Sequence, residues 1–420
     1  MRQIKAALIG AGQRGAESYA PYAMKHPEEI LFVAVAEPDD KRRAAFQKRH
    51  GIPDERAYRS YAEFFENDKG AEAVLICTQD RDHIQPALKA IEKGYHILLE
   101  KPLTFSEEEC LELGQAAKGY SKVFLVCHVL RYTPFFKKLK ELLDQKKIGE
   151  LINIQWIENV GYWHQAHSFV RGNWRNSSES SPMILAKCCH DMDLLLWLVG
   201  ADCTSVSSFG SLKYFKPENA PKEAPLHCLD GCPAKEDCPY YAPRIYIDWR
   251  DDWQADVIKK VVSADTSDAA ILKALETGPY GRCVYHCDND VVDHQVVSLE
   301  FENGVTASFT MSAFSYDCSR EIKFMGSRGE IRGKLEEDCL LVTDFLTGET
   351  ERISVDTVKE GHGGGDEGIM RAFLKMIRDE KMTEGVSDVF SAIQGHQMAF
   401  AAEASRLSKK VISLKEGEGR

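Results

Sequence analysis

An apolar run from Lys5 to Ile9 breaks directly into Gly10-Ala11-Gly12-Gln13-Arg14-Gly15. This junction constrains the chain to feed a buried parallel strand through a tight turn into a helix. Gly10 permits the turn, Gly12 lets backbone approach a pyrophosphate, and Gly15 lets the helix pack closely on the strand. The helix start, with Gln13 and Arg14 in its first turn, offers free N–H groups and partial positive charge to the phosphates. A second apolar run, Ile30 to Ala36, ends at Glu37. A carboxylate there can accept hydrogen bonds from both ribose hydroxyls and repels a 2′-phosphate. The pattern therefore favours NAD, while Arg42 on the following helix leaves NADP open.

Strand-like runs continue at Ala73–Cys77, His96–Leu99 and Val123–Cys127, with helix-like stretches between them such as Asp82–Lys93 and Ser106–Lys118. Ser106 and Glu109 have capping-box spacing. The alternation predicts an α/β fold with a doubly wound parallel sheet, whose ligands lie beyond the carboxyl ends of the strands. Thr78, Gln79, Glu100, Lys101 and His128 fall at such ends, and His83 follows closely. A formal charge of −12 over 420 residues argues against a nucleic-acid groove or an anionic membrane as partner. No run reaches the roughly 18 apolar residues of a membrane span. The N-terminal residues run straight into the first strand, and the 13 cysteines are scattered, so a reducing cytoplasm is expected.

Several ordered motifs now stand together: Gly10-x-Gly12-x-x-Gly15, Thr78 with His83, Gly94 to Leu103 around Glu100-Lys101-Pro102, Arg131-Tyr132-x-Pro134, and His190-x-x-Asp193-x-x-x-Trp197-Leu198-Val199-Gly200. In these the chain resembles the Gfo/Idh/MocA oxidoreductases. The resemblance implies a Rossmann domain, here residues 1–133, and a C-terminal α+β domain on a large, mostly antiparallel open sheet, here residues 134–420. It implies hydride transfer between NAD(P) and hydroxyl carbons of sugars or cyclitols. Glu100 is expected near the nicotinamide ribose, Lys101 as a proton carrier before a cis proline, and the open sheet as the face of a homodimer or homotetramer.

The chemistry fits those roles. Hydride removal from a secondary alcohol also requires the hydroxyl proton to leave, and a lysine accepts it only as an amine. With an unperturbed pKa of about 10.4, Lys101 needs burial or a neighbouring cation to serve. His190 is a second acid/base candidate. Family members often carry an aspartate four residues earlier; here Ala186 stands there, so that role does not transfer. Lys187 is a third candidate: if it points into the pocket, two lysines face each other and lower each other's pKa.

Asn159 to Trp174 follows a strand-like run and is expected to form a loop over the crevice. Tyr162, His164, His167 and Arg171 are its candidate substrate contacts, with packing between domains as the alternative. Arg171 and Arg175 hint at an anionic substrate. Asp290, His294 and His362 are further substrate candidates, the last on a glycine-rich loop (Gly361–Gly365) that reads as a lid or a plain linker. Strands are expected around Val296–Phe301, Thr306–Ser312 and Glu321–Met325, with Asn303-Gly304 as a hairpin turn. A cysteine-rich insertion spans about residues 213–287. Cys228, Cys232, Cys238 and Cys283 form a candidate structural zinc site, with His227, His286 and Cys287 as substitutes. Free thiols, an iron–sulfur cluster or disulfides remain open there. Two other functions also remain open: an NAD-dependent glycosidase working by transient oxidation and elimination, and a non-catalytic sugar sensor. The final helix is expected over Ser387–Lys410, followed by a frayed tail, Lys415–Arg420.

Overall fold

The computed structural model describes residues 2–67, 70–249, 253–356, 362–383 and 385–414. Gly361 and the tail Lys415–Arg420 lie outside the described residues. A six-stranded, fully parallel sheet holds the strands in the order Ala57–Tyr58, Ile30–Ala36, Ile4–Ile9, Ala73–Ile76, His96–Leu99, Phe124–Val126. The order reverses beside Ile4–Ile9, which opens a crevice at that strand's carboxyl end, where Gly10 begins. The strands are nearly all apolar because helices cover both faces. Helix Ile84–Lys93 presents Ile84, Ala87 and Ala90 to the sheet and stops at Gly94, whose φ of 76° suits glycine. Ser106 caps helix Glu107–Ala117 by accepting from the Glu109 N–H. The reciprocal half of the expected box is missing, because the Glu109 carboxylate takes the Thr104 hydroxyl instead.

The second sheet has nine strands, in the order Thr350–Ser354, Cys339–Asp344, Gly329–Lys334, Ser319–Gly326, Leu151–Asn159, Thr306–Ser312, His294–Phe301, Cys203–Ser211, Ile412–Ser413. All neighbours are antiparallel except Leu151–Asn159 with Thr306–Ser312. Period-2 alternation sets its faces: Ile154, Trp156 and Glu158 point inward, Gln155 and Ile157 outward. The Asn303-Gly304 turn joins its two strands as expected. Helices Cys189–Val199 and Val389–Ser408 cover the inner face through Leu194, Leu195, Leu198, Met398 and Ala402.

Two features tie the parts together. Chain after strand Thr350–Ser354 returns to the first core: Ile369, Phe373 and Ile377 pack beside Leu8 and Leu98, and Val389 and Ile393 beside Leu99 and Val126. The final helix thus contributes to both cores. Residues 212–293 form one long excursion between two adjacent antiparallel strands, with an apolar cluster of their own around Phe215, Tyr246, Ile271 and Val284.

A buried bidentate pair locks the layers at the crevice. Arg131, in the turn Val129–Tyr132, donates to both Asp193 oxygens at 2.7 and 2.6 Å and to the Val386 carbonyl. Asp193 lies on the helix that begins at Cys189 and carries His190. Removing one member strands the other charge in the interior. Asp193→Ala should lower unfolding stability by about 3–5 kcal/mol in urea titration, and the double replacement Arg131→Met with Asp193→Leu should recover most of that loss.

Candidate active site

The sequence delivers the site's residues to strand ends, and the fold brings them together. After Ile4–Ile9 the backbone turns at Gly10 with φ 90°, where a Cβ would come within 2.5 Å of the Cys77 carbonyl oxygen; at Gly15 it would meet the Gly10 oxygen at 2.4 Å. Neither position admits a side chain. Gly12 is different: only the end of Arg42, at 3.9 Å, approaches where its Cβ would stand, so the space above it is open. Glu37 is buried and accepts from the Ala11 N–H at 2.7 Å and the Asp39 N–H at 3.0 Å. Its carboxylate therefore sits against the glycine loop. Arg42 lies 3.6 Å from it, so this arginine is drawn to Glu37. Gln79 is exposed, and the Thr78 hydroxyl donates to the Asp82 carbonyl.

Glu100 organises the centre. It accepts from Arg14 Nε at 2.6 Å, from the Tyr19 hydroxyl at 2.6 Å, and from the Lys101 N–H at 2.8 Å. Burial opposes its charge, but the Arg14 and Lys101 cations and the Tyr19 bond outweigh burial and hold the carboxyl below its usual range. Arg14 also donates to Asp366 at 2.8 Å. Asp366 in turn meets His362 Nδ1 at 3.1 Å, so the glycine-loop segment comes down on the crevice. Burial again works against ionisation at Asp366, and His362 and Arg14 overcome it.

The Lys101–Pro102 peptide is cis. Lys101 Nζ donates to the Ala186 carbonyl at 3.0 Å, so the backbone serves where the resembled family often has an aspartate. Leu103, just beyond, donates its N–H to His396 Nε2 at 2.9 Å, with His396 Nδ1 turned to the Ala392 carbonyl at 2.8 Å. His190 is buried, its ring 5.6 Å from His128 and 6.3 Å from His362. Its Nδ1 has no hydrogen-bond partner among the described residues, and neither ring nitrogen of His128 has one. Burial first, then the charges of Lys101 and its neighbours, push the His190 pKa well below the ordinary histidine value. His128 and His164 are depressed in the same way, mainly by burial.

Several expected contacts are corrected by what their polar atoms already do. The Asn159–Trp174 stretch is helical at Tyr162–His164 and Gln165–Arg171 rather than a loop, because its residues bury against the insertion. Arg171 donates to the carbonyls of Arg282 and Tyr240 and to Cys228 Sγ, deep in the insertion. His167 bonds the Tyr246 hydroxyl and stacks on Tyr280. Tyr162 stacks on Tyr316, and His164 Nδ1 lies 3.7 Å from Cys318 Sγ. Of these four, His164 feels the charges of both Lys101 and Lys187. Asp290 is held by Ser177 and His294 by Asp293. His83 turns both ring nitrogens to backbone carbonyls, of Pro102 and Thr78. Arg175 is held by Asp288.

Lys187 also differs from expectation. Its Nζ lies 3.2 Å from Glu158, which reaches Arg320, and Arg320 pairs with Asp191. Burial disfavours the Lys187 charge, but Glu158 more than compensates, so its pKa is raised rather than lowered. The network of Glu158, Asp191 and Arg320 escaped sequence reading, as did Asp366, His396 and Gln165, whose buried amide atoms have no partner. Only Asp366 left a trace, as an acid in the first turn after a glycine run. Lys187→Met should leave the pH profile of turnover unmoved, and a pH–rate series on the variant checks this.

The Rossmann-fold model of an NAD-binding oxidoreductase family matches residues 4–128, and the C-terminal α/β domain model of the same family matches residues 140–406. The chain belongs to the Gfo/Idh/MocA oxidoreductase family. The oxidoreductase YteT of Bacillus subtilis (strain 168) is 25% identical over 309 residues, covering 70% of this chain and 69% of its own. The scyllo-inositol 2-dehydrogenase (NAD(+)) of the same organism is 28% identical over 214 residues, covering 50% of this chain and 58% of its own. The chain thus spans little more than half of that enzyme. A levoglucosan dehydrogenase solved with NADH and levoglucosan superposes with a TM-score of 0.72 at 16% identity, covering 99% of this chain and 100% of that one. No helix among the described residues is long and apolar enough to cross a membrane.

Proposed function

We propose that this oxidoreductase transfers a hydride between NAD and a secondary hydroxyl carbon of a sugar or cyclitol. The observation that carries the reading is a buried His190 whose Nδ1 has no partner among the described residues and whose positive charge is disfavoured by burial and by the nearby charge of Lys101. Buried polar atoms are ordinarily satisfied, so unpaired nitrogens in a crevice favour a polar ligand. The inositol and levoglucosan dehydrogenases among the similar proteins support this substrate class.

The residues present fit the cofactor: Gly10 and Gly15 exclude side chains, Gly12 leaves room, and Glu37 offers carboxylate oxygens for ribose hydroxyls. Glu37 favours NAD over NADP. When bound, the nicotinamide accepts the hydride. The rest falls to the protein. Lys101 takes the hydroxyl proton. His190, neutral, can turn one ring nitrogen to the reacting oxygen, as donor or acceptor according to its tautomer. His164 extends the polar wall, and the Arg14–Asp366–His362 chain closes the crevice from the C-terminal side.

The first test follows NADH absorbance and aglycone release together, over free sugars, cyclitols and aryl glycosides. NADH formed from a free polyol is expected; aglycone release without NADH would make the enzyme a glycosidase instead. Lys101→Met should cut turnover by about 10²–10⁴-fold while NADH binding, read by fluorescence, is unchanged. Because His190 is held neutral, it should add no ionisation of its own to the kcat/KM profile near pH 6.5; an acid limb there that disappears in His190→Asn would contradict its assigned state.

We also propose that the open sheet face associates with a second copy. Phe209 is paired across the sheet with Val296, and Val296 with Thr310, which neighbours Ile157; the three apolar side chains are exposed in one row. Val296→Asp should shift the light-scattering mass to that of a monomer.

A further inference from the structure

The insertion's four candidate zinc ligands are not drawn together as a metal site. Cys228, Cys232, Cys238 and Cys283 line one cavity, yet among the described residues no three thiols lie within 4.8 Å of one another. Aromatic side chains are drawn together, where strand Leu151–Asn159 gives way to the helical turn Tyr162–His164. Tyr316 is 86% exposed, Phe314 46% and Tyr214 38%, and Tyr162 is half-buried. Tyr162 and Tyr316 stack with ring centroids 6.3 Å apart, and Phe314 meets Tyr214 edge-on at 5.6 Å. Buried Tyr240 joins the two pairs, 6.2 Å from Tyr162 and 6.0 Å from Tyr214.

These rings are fixed from behind. Phe314 stacks flat on Phe215, with centroids 5.8 Å apart and planes 8° from parallel, and Phe215 is fully buried in the insertion's core. The Tyr214 hydroxyl accepts from the Tyr285 hydroxyl at 3.0 Å. The segment Ala313–Cys318, which carries Phe314 and Tyr316, is tied to the end of strand Leu151–Asn159 through Ser315. The Tyr162 N–H donates to the Ser315 carbonyl at 2.9 Å, and the Gly161 N–H to its hydroxyl at 3.0 Å.

The patch adjoins the wall of the crevice. Tyr162 shares its helical turn with His164, and Cys318, two residues beyond Tyr316, sets its Sγ 3.7 Å from His164 Nδ1 while donating to the Val160 carbonyl. His164 in turn stands within range of the Lys101 and Lys187 charges. Contiguous exposed aromatic surface with a polar rim marks a binding face, and the rim here carries Asp317, bonded to Lys334 at 2.7 Å. The chemistry of the rings indicates what binds. An aromatic face is the negative side of a quadrupole, and the C–H face of a pyranose offers it weakly positive hydrogens. Three of the four rings are tyrosines, apolar on the face and polar at the tip, which matches a sugar's C–H face and hydroxyl edge. Continuity with the His164 wall makes that sugar part of the same ligand as the reacting ring.

We propose that Tyr162, Tyr214, Phe314 and Tyr316 form a second sugar subsite, so that the substrate is a glycoside or oligosaccharide whose reacting ring lies at Lys101 and whose next ring stacks on this platform. The identity of the reacting ring rests on the dehydrogenase reading above; the platform itself rests on the exposed rings and their attachment to the His164 wall.

The test uses the full chain with NAD, and compares NADH formation from glucose, galactose and mannose with that from their homodisaccharides. At least one disaccharide should exceed its monosaccharide in kcat/KM by about tenfold, through KM. That ratio should fall toward one in Tyr316→Ala and Phe314→Ala, and persist in Phe345→Ala, on the turn between strands Cys339–Asp344 and Thr350–Ser354. Saturation-transfer NMR with irradiation of the aromatic protons reads the same contact without turnover: transfer to disaccharide C–H protons is expected, and its loss in Tyr316→Ala. NADH binding by fluorescence, read on every variant, separates loss of the subsite from failure to fold. Monosaccharides used as well as every disaccharide would overturn the proposal, as would a preference that survives both alanine variants, or the absence of aromatic transfer. A fall in light-scattering mass in Tyr316→Ala would also overturn it, by giving the patch to a second copy. Aromatic transfer that is lost in Tyr316→Ala, with no NADH from any sugar, would sink the dehydrogenase reading and leave the subsite standing.

Discussion

The architecture of the site depends on one buried carboxylate. Glu100 sits where the fifth strand of the parallel sheet ends, and it accepts simultaneously from the helix after the glycine loop, through Arg14 and Tyr19, and from its own neighbour's backbone at Lys101. A lone buried carboxylate would be driven neutral. Here the cations and hydrogen bonds more than offset burial, and the same bonds fix three things at once: the direction of the glycine-loop helix, the start of the Lys101–Pro102 turn, and, through Arg14, the position of Asp366. A segment more than 250 residues away in sequence is thereby attached to the cofactor cradle. The C-terminal chain returns to the first core for a physical reason: the apolar stripe of Ile369, Phe373 and Ile377 buries there, and the Arg14–Asp366 bond sets its register.

Much of this was legible in the chain because local rules coincide with global ones. Strand Ile30–Ala36 was readable to the residue, since its apolar run is bounded by Glu29 and Glu37, and so were His96–Leu99 and Thr306–Ser312. The two-residue edge strand Ala57–Tyr58 was not, because two residues carry no periodicity. Asn159–Trp174 misled because aromatic and polar residues with a glycine at Gly161 look like a loop when their burying partner is an insertion with no regular pattern. The glycine cradle, Glu37, Lys101 and His190 were visible as residues at strand ends or in motifs. Polar networks were not, since Glu158, Asp191 and Arg320 are brought together only by strand register in the second sheet and the helix laid across it.

Lys187 shows why residue type at the right spacing is insufficient. Two lysines near one pocket suggest mutual depression of their pKa values, but that result requires that neither has an acid of its own. Glu158, inward-facing on a strand whose alternation places it beside Trp156, claims Lys187 first. The charge is held in a chain of alternating sign, from Lys187 through Glu158 and Arg320 to Asp191, which also accepts from the Trp156 indole at 2.9 Å. That chain forms a rigid wall behind helix Cys189–Val199, on which His190 stands.

Lys101 and His190 stand in different settings. Lys101 Nζ donates to a backbone carbonyl, that of Ala186, where the family often has an aspartate. A carbonyl accepts a hydrogen bond from either the ammonium or the amine form. His190 is neutral because it is buried and stands among cations, so it can orient a hydroxyl without adding charge to the crevice. In the proposed reaction, the departure at Ala186 leaves Nζ held by a backbone carbonyl, and orientation of the hydroxyl falls to the neutral His190 imidazole rather than to an acid.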